Sequence, residues 1–170
     1  MRAEEEAFVD ALTRAIVADI GAHPPNGTLV RVILRWFEWR SPKYLTLHVL
    51  GTADDDEGEP WAPLEWSNLD DELERTERVV AHPDVVATSA VLGTIYETVD
   101  DVPPEHPPSP AIREVVRLLP EALIAVPRVP HFAAVASHFE QYGMYASLEA
   151  ANPPEVVALL EARDELPPDE

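Results

Sequence analysis

The amino-acid sequence predicts an α+β domain. Its sheet is small and largely antiparallel, an N-terminal hairpin plus one or two C-terminal strands, and four to five helices pack on it. Three observations predict this. Hydrophobic periodicity switches from helical to alternating and back along the chain. Most of the eighteen prolines fall in clusters that separate the periodic segments. At 170 residues and 46% apolar, the chain is long enough to bury one core. Strand-helix alternation of the doubly wound kind is not visible, and runs of helices after the hairpin favour α+β.

Residues 4–20 read as a helix. Phe8, Leu12, Ala15, Ile16 and Ile20 form one apolar stripe. Glu4, Glu5 and Glu6 suit the positive end of its dipole, and Gly21 is placed to stop it. Residues 28–39 alternate. Val30, Val32, Leu34 and Trp36 make a wholly apolar face that should meet the core. Leu29, Arg31, Ile33, Arg35 and Phe37 make a mixed face, expected to be half covered. After the turn Arg40-Ser41-Pro42-Lys43, residues 44–50 alternate again, with Leu45, Leu47 and Val49 inward, completing an antiparallel hairpin.

An acidic loop follows from Gly51 to Pro60. Ser67 is placed to cap a helix running to about residue 81, with Leu69, Leu73, Thr76 and Val80 along its buried side. Residues 84–99 are rich in β-branched side chains but fit a helix better through Val85, Ser89, Leu92 and Tyr96. Ser109-Pro110 starts the next helix, with Ile112, Val115, Val116 and Leu119 inward and a kink or restart at Pro120. Residues 132–139 read as a third strand, and 142–148 as a fourth strand or a loop. Asn152 is placed to cap the last helix, with Glu155 reaching back as in a capping box. The whole reads as one domain over 1–166, with 167–170 a frayed tail.

Charge narrows the function classes. Twelve basic residues face 32 acidic ones, for a formal net charge of −20. Such a chain is repelled by nucleic acid and by anionic membranes, so neither is an expected partner. The apolar runs are too short to span a bilayer, and the acidic start, Met-Arg-Ala-Glu-Glu-Glu, is unlike a signal peptide. A soluble cytoplasmic domain is expected. Without cysteine there is neither a disulfide nor a thiolate site.

Motifs for chemistry are sparse. The run Asp54–Glu59 fails calcium-loop spacing, because with Gly58 at position six the first position is Ala53. No histidine pair has the helical spacing of a zinc site; the one set considered for convergence is His131, His138 and Glu140. Neither a nucleophile elbow nor a phosphate-binding glycine loop is present. Lys43, the sole lysine, falls in a turn. No cofactor is expected, and a non-enzymatic role is favoured. The alternative is a small enzyme or ligand-binding domain with a pocket between the sheet and the 109–125 helix, using His48 or His138 as acid or base.

Charge distribution is the strongest feature. Residues 54–105 hold 16 acids against Arg75 and Arg78, whereas the hairpin, 29–49, carries a net +3. A block of this kind steers a cationic partner. Whole-surface salt adaptation and nucleic-acid mimicry are the competing explanations of the charge. All four tryptophans lie within 36–66. Trp36 and Trp66 suit the core, whereas Trp39 and Trp61 flank charged loops and suit an interface.

Trp61-Ala62-Pro63-Leu64-Glu65-Trp66, together with Asn152-Pro153, resembles an uncharacterised bacterial domain family with an Arg-Trp-x-Pro-x-Glu-Trp segment after an N-terminal helix and hairpin. The likeness in element order spans about residues 5–165. Pro60 stands where the family has its arginine, so a role for that arginine is absent or moved. The family's members are of the kind found near toxin–immunity loci. The resemblance therefore implies an immunity or other binding role.

Together these features predict an acidic protein that blocks a basic partner surface, in the way an immunity protein blocks a toxin. The expected contacts are Asp54, Asp55, Asp56, Glu57 and Trp61, with Asp70, Asp71 and Glu74 as a secondary patch.

Overall fold

The computed structural model describes residues 1–36, 45–54, 61–63, 69–97, 110–138 and 143–168; the side chains of residues 36, 69, 70 and 95–97 fall outside that description. The elements are, in chain order, α1 (Ala3–Ala22), β1 (Leu29–Trp36), β2 (Leu45–Gly51), α2 (Leu69–Val80), α3 (Pro83–Glu97), α4 (Pro110–Ala122), β3 (Arg128–His138), α5 (Met144–Ala151) and α6 (Pro154–Ala162). The α+β class is as the sequence predicts. The described helices number six, one more than the upper expectation.

The sheet differs in one strand. Its order is β2-β1-β3. β1 and β2 pair antiparallel, with Leu34 opposite Leu47. β3, however, pairs parallel to β1, with Leu34 opposite Ala136. The sheet is therefore mixed rather than largely antiparallel. Parallel neighbours need a long crossover, and the chain between β2 and β3, which contains α2, α3 and α4, supplies it.

As the central strand, β1 is covered on both faces. Leu29, Val32 and Leu34 join the larger apolar cluster, with α1 and α4 side chains such as Leu12, Ile16, Val115 and Leu119. Leu45, Leu47 and Val49 join it too, as expected. Ile33 belongs to a second cluster with Leu50, Trp61, Val135, Met144, Leu148 and Leu160, against which Val30 packs. The mixed face is thus buried, not half covered: Arg31 and Arg35 have almost no exposed surface. Val30 changes sides because the pairing register shifts between Leu29 and Arg31. Such an irregularity breaks strict alternation and moves every side chain before it to the other face.

Both outer edges of the sheet are closed by side chains from helices. Along β2, the Leu47 N–H donates to Thr76 Oγ1 at 2.9 Å and the Thr76 hydroxyl lies 3.2 Å from the Leu47 carbonyl. The Val49 N–H donates to Glu72 Oε2. Along β3, Asn152 Oδ1 accepts from the Ala134 N–H at 3.0 Å, and Asn152 Nδ2 donates to the Ala134 carbonyl at 2.8 Å. Ser147 Oγ accepts from the Ala136 N–H at 2.7 Å. Unpaired edge groups invite foreign strands, and these contacts occupy the ones at Leu47, Val49, Ala134 and Ala136.

The same contacts explain three departures from the sequence reading. α2 turns Glu72, Arg75 and Val79 inward; of its expected buried side, Thr76 and Val80 are half-buried there, whereas Leu73 is exposed. Asn152 does not cap α6; Pro153 holds that position, without a side-chain cap bond, while Asn152 is spent on β3. Residues 144–151 form α5, not a fourth strand or a loop. Met, Leu, Glu and Ala favour a helix there, and Gly143 enters it at φ 74°, a conformation glycine adopts freely. Elsewhere, α1 runs through Gly21 to Ala22, residues 83–97 form the favoured helix, and α4 continues past Pro120. Pro167 is buried, so the tail stays docked one residue beyond the expected boundary.

Candidate functional site

α2 sorts its charges by side. Facing inward, Arg75 donates to Asp19 Oδ2 at 2.7 Å and to the His23 carbonyl at 2.9 Å. Arg78 adds a bond to Asp19 Oδ1 at 2.7 Å. Glu72 lies beside Arg75, 3.5 Å from its Nε. Asp19 thus ties α1 to α2 through two guanidinium groups. Burial pushes the Glu72 carboxyl up to about 7, against the opposing pull of the Val49 N–H and Arg75. Facing outward are Asp71, Glu74 and Glu77, all exposed and spaced along one side of the helix. Among the described residues no ion pair engages any of the three.

The acidic loop is met only at its start. Asp54 is 5% exposed. Its carboxylate accepts from Asn26 Nδ2 at 2.6 Å and from the Gly51 N–H at 3.0 Å. This joins the loop before β1 to the loop after β2. The approach is close: a Cβ on Gly51 would sit 2.2 Å from the Asn26 carbonyl oxygen. Asp54 therefore holds the fold and is not a surface contact, contrary to expectation. Asp55, Asp56 and Glu57 lie outside the described residues, as does the Asp70 side chain.

Trp61 is also corrected. It is 4% exposed, and its indole N–H donates to the Glu165 carbonyl at 2.8 Å. The Arg31 guanidinium stacks over its ring, 4.8 Å from the centroid. Arg31 further donates to the His131 carbonyl at 2.8 Å and to Glu165 Oε2 at 3.2 Å. Arg163 holds the other Glu165 oxygen at 2.7 Å. Trp61 is thus an anchor for the C-terminal segment. Neighbouring acids in the sequence pointed outward, whereas the deciding neighbour, Arg31, is on a strand. Of the segment behind the family resemblance, residues 64–66 fall outside the description.

The histidines do not assemble a reaction centre among the described residues. His48 lies on the sheet face opposite α4, between Leu47 and Val49, which point into the α4 side. The α4 side of the sheet is packed with buried Ile112, Val115, Val116 and Leu119, and His48 does not face it. Burial and the nearby Arg35 bring His48 down to about 4, and its Nε2 sits 3.1 Å from Thr46 Oγ1. His131 and His138 lie near opposite ends of β3, on the order of 20 Å apart by strand rise. Glu140 is outside the described residues. No group of three metal-ligating side chains occurs among the described residues.

Sequence reasoning missed Asp19, Glu72, Arg75 and Glu165 as partners in buried ionic networks. The visible signal was arginine alternating with Leu, Val and Ile on β1, which requires buried counter-charges or carbonyls. Within the described residues no helix is long and apolar enough to cross a membrane. No family model, curated protein or solved structure matches the chain.

Proposed function

We propose that this is a non-enzymatic acidic binding protein that covers a basic surface on a partner protein, in the manner of an immunity protein. The supporting observation is the row Asp71, Glu74 and Glu77 on the outer side of α2, exposed while Arg75 is buried against Asp19 and Glu72 and Arg78 is bonded to Asp19. None of the three makes an ion pair among the described residues, although Arg78 contributes an attractive charge to Glu74. They sit within the block that carries 16 acids, which extends the field beyond one helix. Asp71 and Glu74 from the expected patch are retained as contacts. Glu77 joins them, Asp54 and Trp61 are withdrawn, and Asp55, Asp56 and Glu57 stay as proposed contacts.

The test is co-expression with the product of the adjacent gene, followed by binding kinetics. Reversing Asp71, Glu74 and Glu77 to lysine should slow association about tenfold and flatten its salt dependence, since exposed charges act mainly on the on-rate. Retention of both the rate and its salt dependence in that variant and in a D55K/D56K/E57K variant would refute the proposed surface.

A further inference from the structure

α3 is a surface helix without a surface helix's charge. Between Asp84 and Glu97 it carries no ionisable side chain except Tyr96, in a chain that is 26% charged. Its inner side is apolar, with Val85 and Leu92 buried. Its outer side is apolar as well: Val86 is 51% exposed and Val91 is 49% exposed. Ala87, Ala90 and Thr94 are exposed between and beside them. These positions recur at helical spacing and form one continuous face. Exposed apolar surface of this regularity marks an interaction site.

We propose that the occupant of this face is a second copy of the chain, paired through α3 in antiparallel fashion about a two-fold axis. Charge selects the occupant. Two chains of net charge −20 repel each other and can meet only where carboxylates are absent. The outer face of α3 meets that condition, whereas the outer face of α2 presents Asp71, Glu74 and Glu77. A cationic partner has no reason to prefer α3 over α2. Asp84, exposed at the start of α3, has Arg14 at 3.7 Å.

The order of side chains also selects a copy of the same chain. Residues 86–91 read Val-Ala-Thr-Ser-Ala-Val, nearly the same in both directions. A two-fold axis passing between Thr88 and Ser89 sets Val86 against Val91 of the second copy and Ala87 against Ala90. An isologous interface requires this self-complementarity. The central alanines let the helix axes approach to about 8 Å, and antiparallel pairing opposes the two helix dipoles favourably. One helix pair buries less than the ~1,200 Å² of a standard stable interface. The dimer is accordingly weak and concentration-dependent.

Sedimentation equilibrium on the full chain tests this. A monomer–dimer equilibrium is expected, and added salt should strengthen it by screening the repulsion between copies. That sign is opposite to the one for binding a basic partner. The A90E variant should weaken the dimer at least tenfold while the circular dichroism spectrum stays that of the parent, because Ala90 is exposed and Glu favours helices. The chain has no cysteine, so an oxidised mixture of A87C and A90C variants should cross-link more than either alone. A chain monomeric at every concentration and salt level, a dimer unmoved by A90E, or a mixture that cross-links no better than its components would overturn the proposal. A monomer that loses binding to a basic protein on A90E would assign the face to a different occupant. The D71K/E74K/E77K variant should not weaken the dimer, so this proposal and the acidic-surface reading fail separately.

Discussion

Glu72 and His48 are both buried against the sheet, and their ionisation pulls stability in opposite directions. Glu72 is raised from 4.5 to about 7 by burial. Its contribution is therefore fully present below about pH 4.5 and is lost as pH rises through about 7. His48 is lowered from 6.5 to about 4 by burial and by Arg35. Its contribution is present above about pH 6.5 and is lost as pH falls through about 4. Shifts of this size correspond to about 3 kcal/mol each. Urea midpoints measured between pH 4 and pH 8 on E72Q and H48Q variants should show this. E72Q should remove the loss on the alkaline side and H48Q the loss on the acid side; equal slopes in parent and variants would contradict the assignment. E72Q keeps an oxygen to accept the Val49 N–H, so the fold should persist.

At the level of elements, α2 and α5 with its following residue act as splints along the two outer strands. Thr76 serves both backbone groups of Leu47, and Asn152 both backbone groups of Ala134. Thr76→Val keeps the shape and strips the edge of its partners; about 1–3 kcal/mol of stability should go with it. Asn152→Ala should cost at least as much. Because the two sites lie on opposite edges, the double variant should show the sum, readable from denaturant midpoints. These elements also show where sequence patterning succeeds. α1, the hairpin, α3 and α4 bury apolar stripes against apolar layers, so periodicity finds them. α2 faces a strand edge, where the complement to a backbone N–H is an oxygen; Glu72 and Thr76 are right for that place and look wrong to a hydropathy count. Asn152 misled for a related reason. Asn before Pro-Pro is a normal helix start, but a side chain with one donor group and one acceptor also matches a strand. The direction of β3 leaves no local trace, because parallel and antiparallel strands draw on the same residues. The candidate surface was legible only as charge. Asp71 and Glu74 are on it, whereas Asp54 and Trp61 were taken inside by Asn26 and Arg31, both distant in the chain.

Across the whole molecule, net charge works against compactness. Twenty excess negative charges repel one another, and only part of that field is cancelled by the internal arginines. Raising salt should therefore raise the melting temperature, by about 2–4 °C for each kcal/mol of repulsion screened. The buried Asp19–Arg75 pair at 2.7 Å is shielded from salt and should not offset the gain. A melting temperature that falls on adding sodium chloride would mean that attractive surface pairs outweigh repulsion. Under the two proposals the acidic field attracts a cationic protein and the uncharged α3 face takes a copy of the chain itself.

The parallel pairing of β1 with β3 has a consequence during synthesis. Arg31 and His131, which meet across it, are 100 residues apart. A ribosome adding about 5–20 residues per second delivers the second strand roughly 5–20 s after the first. Through that interval the nascent hairpin keeps one flank of its middle strand open, and Ser147 and Asn152 have yet to emerge. Repulsion between nascent chains this acidic opposes pairing of that flank with a neighbouring copy.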